Sequence, residues 1–137
     1  MGRLLSIEPI AYCMSASPPR ILAIEDTLVH TRIVKRCLAD TYDLAVVASV
    51  EEARGQLERE AFDLLLVDWG LPGESGLSFV QDLRGRGREA DPVPAIVMLT
   101  AEDRQDHVVD AINAGVDDYI VKPLQCQVLR DKVAALV

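Results

Sequence analysis

The sequence predicts an α/β domain built as a doubly wound, five-stranded parallel sheet, and three observations predict it. Five short apolar runs alternate with amphipathic stretches from Ile21 onward, the pattern of strands joined by covering helices. The third run, Leu64-Leu65-Leu66-Val67, is apolar without interruption, as a central strand covered on both faces must be. At 137 residues the chain has the length of one domain.

Each element can be justified in order. Ile21-Leu22-Ala23-Ile24 is the first strand, ending at Glu25-Asp26, and Val29, Ile33 and Cys37, with Val34 and Leu38, then recur at helical spacing. Leu44 to Ala48 is the second strand. Ser49 followed by Glu52 is a capping-box signature, opening a helix with Ala53, Leu57 and Ala61 on one face. The third strand closes on Asp68, and beyond a Pro/Gly-rich loop Leu77, Val80 and Leu83 mark the third helix. Gly85 to Pro94 is a surface loop of glycines, prolines and charges. Ala95 to Leu99 is the fourth strand, closed by Thr100. A helix from about Asp103 carries Val108, Val109 and Ile112 and ends near Gly115, a residue suited to a left-handed cap. Tyr119-Ile120-Val121 is the fifth strand, and after Lys122-Pro123 a last helix turns Leu129, Val133 and Leu136 inward.

Before the first strand, Pro9, Ser15, Ser17, Pro18 and Pro19 break any regular element, so residues 1–19 read as an extension or linker and 20–137 as the folded domain. The chain stops on Ala-Leu-Val without a polar tail, the ending expected of a domain that continues into a longer protein.

Composition excludes several classes of function. Hydrophobic residues make up 50% and charged residues 26%, too much apolar material for a disordered chain. The 14 Lys and Arg against 22 Asp and Glu give a net charge of -8, which argues against nucleic-acid binding by this segment and against adhesion to anionic lipid. Cys13, Cys37 and Cys126 lack zinc-site spacing and are odd in number, predicting free thiols in a reduced cytoplasm. Glu8 and Pro9 interrupt the N-terminal apolar run short of signal-peptide length, and no stretch reaches the roughly 18 apolar residues of a membrane span.

The chemistry lies at the strand ends. In a parallel sheet the carboxyl ends share one edge, where residues distant in sequence converge on a crevice. Glu25-Asp26, Asp68, Thr100 and Lys122 each follow or close an apolar run. Three carboxylates at one edge repel one another unless a hard divalent cation such as magnesium neutralises them. An ammonium and a hydroxyl beside them are donors for phosphoryl oxygens, so the set reads as phosphoryl-transfer machinery with a carboxylate nucleophile. Singly, each has a plainer reading: a helix start, a turn residue, an N-cap, a solvated lysine. Four coincidences at one edge are a poorer explanation than one site. Trp69 reads equally as pocket rim or packing, His30 and His107 as ordinary surface residues, and Asp117 and Asp118 as solvated loop acids, with a dimer-facing pair to Lys132 the weaker alternative.

From Arg20 to Val137 the chain resembles the receiver domain of bacterial response regulators. The residues that carry the resemblance are Glu25-Asp26, the loop Asp68-Trp69-Gly70-Leu71-Pro72-Gly73-Glu74-Ser75-Gly76, Leu99-Thr100-Ala101, and Gly115-Val116-Asp117-Asp118-Tyr119-Ile120-Val121-Lys122-Pro123. The resemblance implies a flavodoxin-like (βα)5 sheet of strand order 2-1-3-4-5. It implies that Asp68 accepts a phosphoryl group from a sensor histidine kinase or phosphotransfer protein. It further implies that Asp26, Asp68 and the main-chain carbonyl of Gly70 ligate Mg2+, with Glu25 acting mostly through a bound water. Lys122 would pair with Asp68 and then with a phosphoryl oxygen, beside a cis peptide at Pro123. Thr100 would swing onto the phosphoryl group, Ala101 would leave room for the donor, and Tyr119 would follow Thr100 inward.

The implied activity is catalysis of the domain's own phosphorylation and dephosphorylation and of no separate metabolite. The face formed by the fourth helix, fifth strand and fifth helix would report the change to an output domain beyond residue 137 or to a second copy of the chain, in transcription regulation by expectation. Gly70 offers no side chain to govern access of the hydrolytic water, leaving the lifetime of the phosphorylated state open. The alternative is a degenerate receiver that binds a protein without being phosphorylated, against which Asp26, Asp68, Thr100 and Lys122 all stand intact. A phosphatase of the haloacid dehalogenase type would need two aspartates two apart after the first strand, and a flavin protein a hydroxyl-rich phosphate loop; Glu25-Asp26-Thr27 supplies neither.

Overall fold

The computed structural model describes residues 17–71, 73–85, 94–101 and 105–137, the side chains of 105–107 excepted. Most of the expected N-terminal extension, Pro72, residues 86–93 of the expected Gly85–Pro94 loop, the expected helix start at Asp103 and the His107 side chain lie outside the described residues.

Strands β1 (Arg20–Ile24), β2 (Asp43–Val47), β3 (Leu64–Asp68), β4 (Ala95–Thr100) and β5 (Asp118–Val121) alternate with helices α1 (Leu28–Leu38), α2 (Val50–Arg59), α3 (Gly76–Gly85), α4 (Gln105–Ala114) and α5 (Cys126–Leu136). The strands form one sheet in the order β2-β1-β3-β4-β5, and every pairing is parallel. All five residues of the central β3 are buried, whereas edge strand β2 begins exposed.

Because successive strand side chains point to opposite faces, each strand feeds two cores. Ile21, Ala23, Leu64, Leu66, Val97 and Leu99 pack with Val34, Cys37 and Leu38 of α1 and Leu129 and Val133 of α5. Leu22, Ile24, Leu65, Val67, Ile96 and Met98 pack with α2, α3 and α4 through Ala53, Phe79, Val80, Ala111 and Ala114. Thus α1 and α5 lie side by side on one face although separated by most of the chain.

That adjacency corrects the expectation of free thiols. Cys37 of α1 and Cys126 of α5 form a disulfide, with Cα atoms 5.3 Å apart and a sequence separation of 89. Cys13 lies outside the described residues. Three helix faces also differ from expectation. Val29 is exposed, because α1 turns Val34, Cys37 and Leu38 to the sheet. Val109 and Ile112 of α4 are exposed while the smaller Ala111 and Ala114 face the sheet. Ala61 lies beyond the end of α2. The α2 cap forms as its sequence suggests: Glu52 N–H donates to Ser49 Oγ at 3.2 Å.

Gly115 and Gly76 are each required by geometry. Gly115 has φ +101°, the left-handed cap ending α4. Gly76 begins α3 against β3, and a Cβ there would run into the Asp68 carbonyl oxygen and come within 2.9 Å of Val67 Cγ1. Its missing side chain is what lets the helix start directly behind the strand end that carries Asp68.

Candidate functional site

The sheet register brings the strand ends to one level. Ile24 is paired with Val67, Asp68 with Leu99, and Thr100 with Val121, so Glu25, Asp68, Thr100 and Lys122 emerge at the same edge. The main chain ties them there: Glu25 N–H donates to the Val47 carbonyl at 2.9 Å, Trp69 N–H to Leu99 at 2.8 Å, and Lys122 N–H to Thr100 at 2.7 Å.

Glu25, Asp68 and Thr100 are buried, while Asp26 is exposed at the mouth. Oxygen atoms of Glu25, Asp26 and Asp68 lie within 4.8 Å of one another. The Lys122 ammonium enters from the end of β5 and donates to Asp68 Oδ1 at 3.0 Å and to Glu25 Oε2 at 3.2 Å. Asp68 Oδ1 also accepts from Gly70 N–H at 3.3 Å, and Glu25 Oε1 from Thr27 N–H at 3.1 Å. Among the described residues, three carboxylates against one ammonium leave an excess of two negative charges. Hard oxygen donors so close together fit a divalent cation of the magnesium type, which would relieve that excess.

In front of the cluster a crevice of about 360 Å³ is lined by Asp26, Thr27, Asp68, Trp69, Gly70, Thr100, Ala101 and Lys122. Trp69 both borders this crevice and packs on the α2-α3-α4 core, so its two expected readings are both realised. The Lys122–Pro123 peptide is cis. Tyr119 is half-buried against the same core, with Lys132 Nζ 5.9 Å from its ring centre.

Two sets of residues were read differently from sequence. His30 is not an ordinary surface residue: its Nδ1 lies 3.1 Å from Lys122 Nζ and 3.5 Å from Glu25 Oε1. The available signal was its place in the first turn of the helix that follows the Glu25-Asp26 strand end. Asp117 and Asp118 keep the solvent exposure expected of them, with side chains 40% and 34% exposed, but both are also ion-paired. Asp117 pairs with Arg84 at 2.8 Å and accepts from Ile96 N–H, while Lys132 pairs with Asp118 within the chain, at 3.0 Å.

Comparison with known proteins agrees with this geometry. The family model "Response regulator receiver domain" matches residues 21–134. The chain is 34% identical over 116 residues to the chemotaxis protein CheY of Pseudomonas aeruginosa, covering 83% of this chain and 92% of that protein. It is 33% identical to the phosphate regulon transcriptional regulatory protein PhoB of Rhizobium meliloti, over 87% of this chain but 52% of that longer protein. Among solved structures, a CheY-like response regulator receiver domain protein from Methanospirillum hungatei superposes with a TM-score of 0.75 at 28% identity, covering 87% of this chain and 93% of that one. With five parallel strands in the order 2-1-3-4-5 and a receiver match running from β1 into α5, the chain belongs to the response regulator receiver domain family.

Proposed function

We propose that this receiver is a working phosphoacceptor, with Asp68 as the residue phosphorylated. The observation that carries the reading is the Lys122 ammonium 3.0 Å from Asp68 Oδ1, at an edge that also holds Glu25, Asp26 and Thr100. An Asp68 carboxylate oxygen attacks the phosphorus of a kinase or phosphotransfer protein's phosphohistidine. The P–N bond breaks, the imidazole leaves with its electron pair and is protonated from solvent, and an acyl phosphate forms. Hydrolysis reverses the state: water attacks phosphorus, the P–O bond to Asp68 breaks, and inorganic phosphate leaves.

Asp26, Asp68 and the Gly70 carbonyl, with Glu25 behind them, are the groups that would hold Mg2+, which supplies charge neutralisation and a template for the phosphoryl oxygens. Lys122 is already placed to move one N–H from the Asp68 carboxylate to a phosphoryl oxygen. Thr100 carries the hydroxyl that answers the new acceptors, since phosphorylation brings roughly -1.5 to -2 charge and three strong acceptor oxygens. Tyr119, on the adjoining strand, is the residue that transmits the movement of Thr100 toward α4 and α5.

In this reading residues 20–137 are the phosphoacceptor unit and 1–19 an extension. Its readout is a partner or output domain, and the half-length match to a transcriptional regulatory protein supports a transcriptional output. The test is intact mass after incubation with acetyl phosphate and Mg2+, for wild type and Asp68→Asn. One Mg2+-dependent, alkali-labile phosphoryl adduct in wild type and none in the variant is expected. No adduct on a folded, Mg2+-binding wild type would favour a receiver that acts by protein binding alone, and an equal adduct on the variant would move the acceptor elsewhere.

A further inference from the structure

We infer that His30 is a positioning residue for Lys122, supplying the third acceptor that completes the hydrogen bonding of its ammonium. The inference rests on the phosphoacceptor reading for its kinetic consequence and on geometry alone for its structural part. An ammonium has three N–H donors and no lone pair. Among the described residues, Lys122 Nζ has three acceptors within reach: Asp68 Oδ1 at 3.0 Å, His30 Nδ1 at 3.1 Å and Glu25 Oε2 at 3.2 Å. They come from three elements, the end of β3, the first turn of α1 and the end of β1, so together they fix the nitrogen in space.

The direction of the His30 contact follows from the chemistry of its partners. Lys122 can only donate, so Nδ1 must present its lone pair and the imidazole proton sits on Nε2. The competing arrangement, Nδ1–H donating to Glu25 Oε1, is worse on two counts. That distance is 3.5 Å, and it would turn an N–H toward an ammonium 3.1 Å away. The lysine contact therefore wins.

The consequence concerns what holds Lys122 during phosphorylation. Asp68 gives up carboxylate character when it bonds to phosphorus, and Lys122 must then turn that N–H to a phosphoryl oxygen. Glu25 and His30 keep the other two. His30 does so without adding negative charge to a pocket that already carries an excess of it. Its side chain does not line the crevice in front of Asp68, so it acts on the reaction through Lys122 and not on the donor.

The experiment has two parts. Long-range 15N–1H correlation spectra of the metal-free protein read the tautomer directly: the inference expects an unprotonated Nδ1 and a protonated Nε2 on His30, both signals shifting in Lys122→Met. A protonated Nδ1 would overturn it, whatever the protein's phosphorylation. Kinetics with acetyl phosphate and Mg2+ then compare wild type, His30→Leu, which keeps bulk but has no acceptor, and His30→Asn, whose side-chain oxygen replaces Nδ1. The expectation is about tenfold slower phosphorylation at saturating donor in His30→Leu, little change in the donor concentration for half-maximal rate, and substantial rescue in His30→Asn. Equal rates in all three, or equal loss in both variants, would reject the positioning role. Failure of wild type itself to be phosphorylated would instead count against the phosphoacceptor reading, with the tautomer result still deciding the contact.

Discussion

Lys122 Nζ lies 3.2 Å from Glu25 Oε2 across 97 residues of sequence, and the Glu25 side chain is wholly buried. The contact places the Lys122 ammonium between two carboxylates, Glu25 and Asp68, instead of on Asp68 alone. It also assigns Glu25 a task in the resting protein that its expected water-mediated role in metal binding did not include.

Removing that ammonium should make the protein less stable and more dependent on cations. Breaking a buried ion pair by deleting one partner costs about 3 kcal/mol or more, because the remaining charges stay buried without compensation. Lys122→Met should therefore lower Tm in metal-free buffer. Mg2+ should raise Tm more in the variant than in wild type, since the pocket then carries three carboxylates and no ammonium. Thermal melts with EDTA and with Mg2+ check this, and a smaller Mg2+ effect in the variant would show that Lys122 does not oppose the acids thermodynamically.

Gly76 and Gly70 make a matched pair for testing how tightly the site is built. A Cβ at Gly76 meets the Asp68 carbonyl and Val67 Cγ1, whereas one at Gly70 meets nothing within 4 Å. Overpacking of a rigid site costs about 1–3 kcal/mol, so Gly76→Ala should fall in that range or beyond it and slow phosphorylation by displacing Asp68. Gly70→Ala should stay within about 0.5 kcal/mol of wild type. Chemical denaturation of both variants gives the comparison; equal stabilities would mean that α3 can retreat from β3 freely.

The strand-end acids, the hydroxyl and the lysine were legible in sequence because an apolar run dictates where its strand stops, and a parallel sheet dictates which edge the stops share. The uninterrupted Leu64–Val67 run likewise placed β3 at the centre. What sequence left undecided was the phase of each helix against the sheet. On α4, Val108, Val109 and Ile112 form one plausible stripe, and Ala111 and Ala114 form the one that faces inward. Small alanines let the helix approach closely, and periodicity alone does not weigh that. His30 was hidden for the same reason, since only the docking angle of α1 shows that its first turn leans over Lys122. The Cys37–Cys126 bond was hidden by sequence distance.

That disulfide should contribute measurably to stability. Crosslinking residues 89 apart restricts the unfolded chain strongly, and bonds closing long loops are worth about 2–4 kcal/mol. For a domain of this size that corresponds to a fall in Tm of roughly 10 °C on reduction. Melts of the oxidised and the fully reduced protein, with Cys37→Ala/Cys126→Ala as control, test it. The control should be indifferent to reductant. A wild type equally indifferent after verified loss of the bond would show that α1 and α5 are held by packing alone.

Arg84 offers the last test, at the seam where α3 meets the start of β5. Its guanidinium donates to the Gly115 carbonyl at 2.8 Å, to the Pro94 carbonyl at 3.2 Å and to Asp117 Oδ2 at 2.8 Å, with the side chain only 15% exposed. Asp117 in turn accepts from Ile96 N–H at 2.8 Å, so one arginine ties α3, the cap of α4, the entry to β4 and the entry to β5. Planar geometry with several fixed donors makes Arg irreplaceable by Lys at such a node. Arg84→Met keeps the packing stem and removes all three bonds, and hydrogen bonds from charged groups are worth about 1.5–3 kcal/mol each in favourable cases, less when partly exposed. A net loss of about 2 kcal/mol is expected, with faster amide exchange at Ile96 and Asp117 and unchanged exchange in β1. Uniform acceleration across the sheet would mean that the variant only lowers global stability, and that Arg84 is not a local tie between these segments.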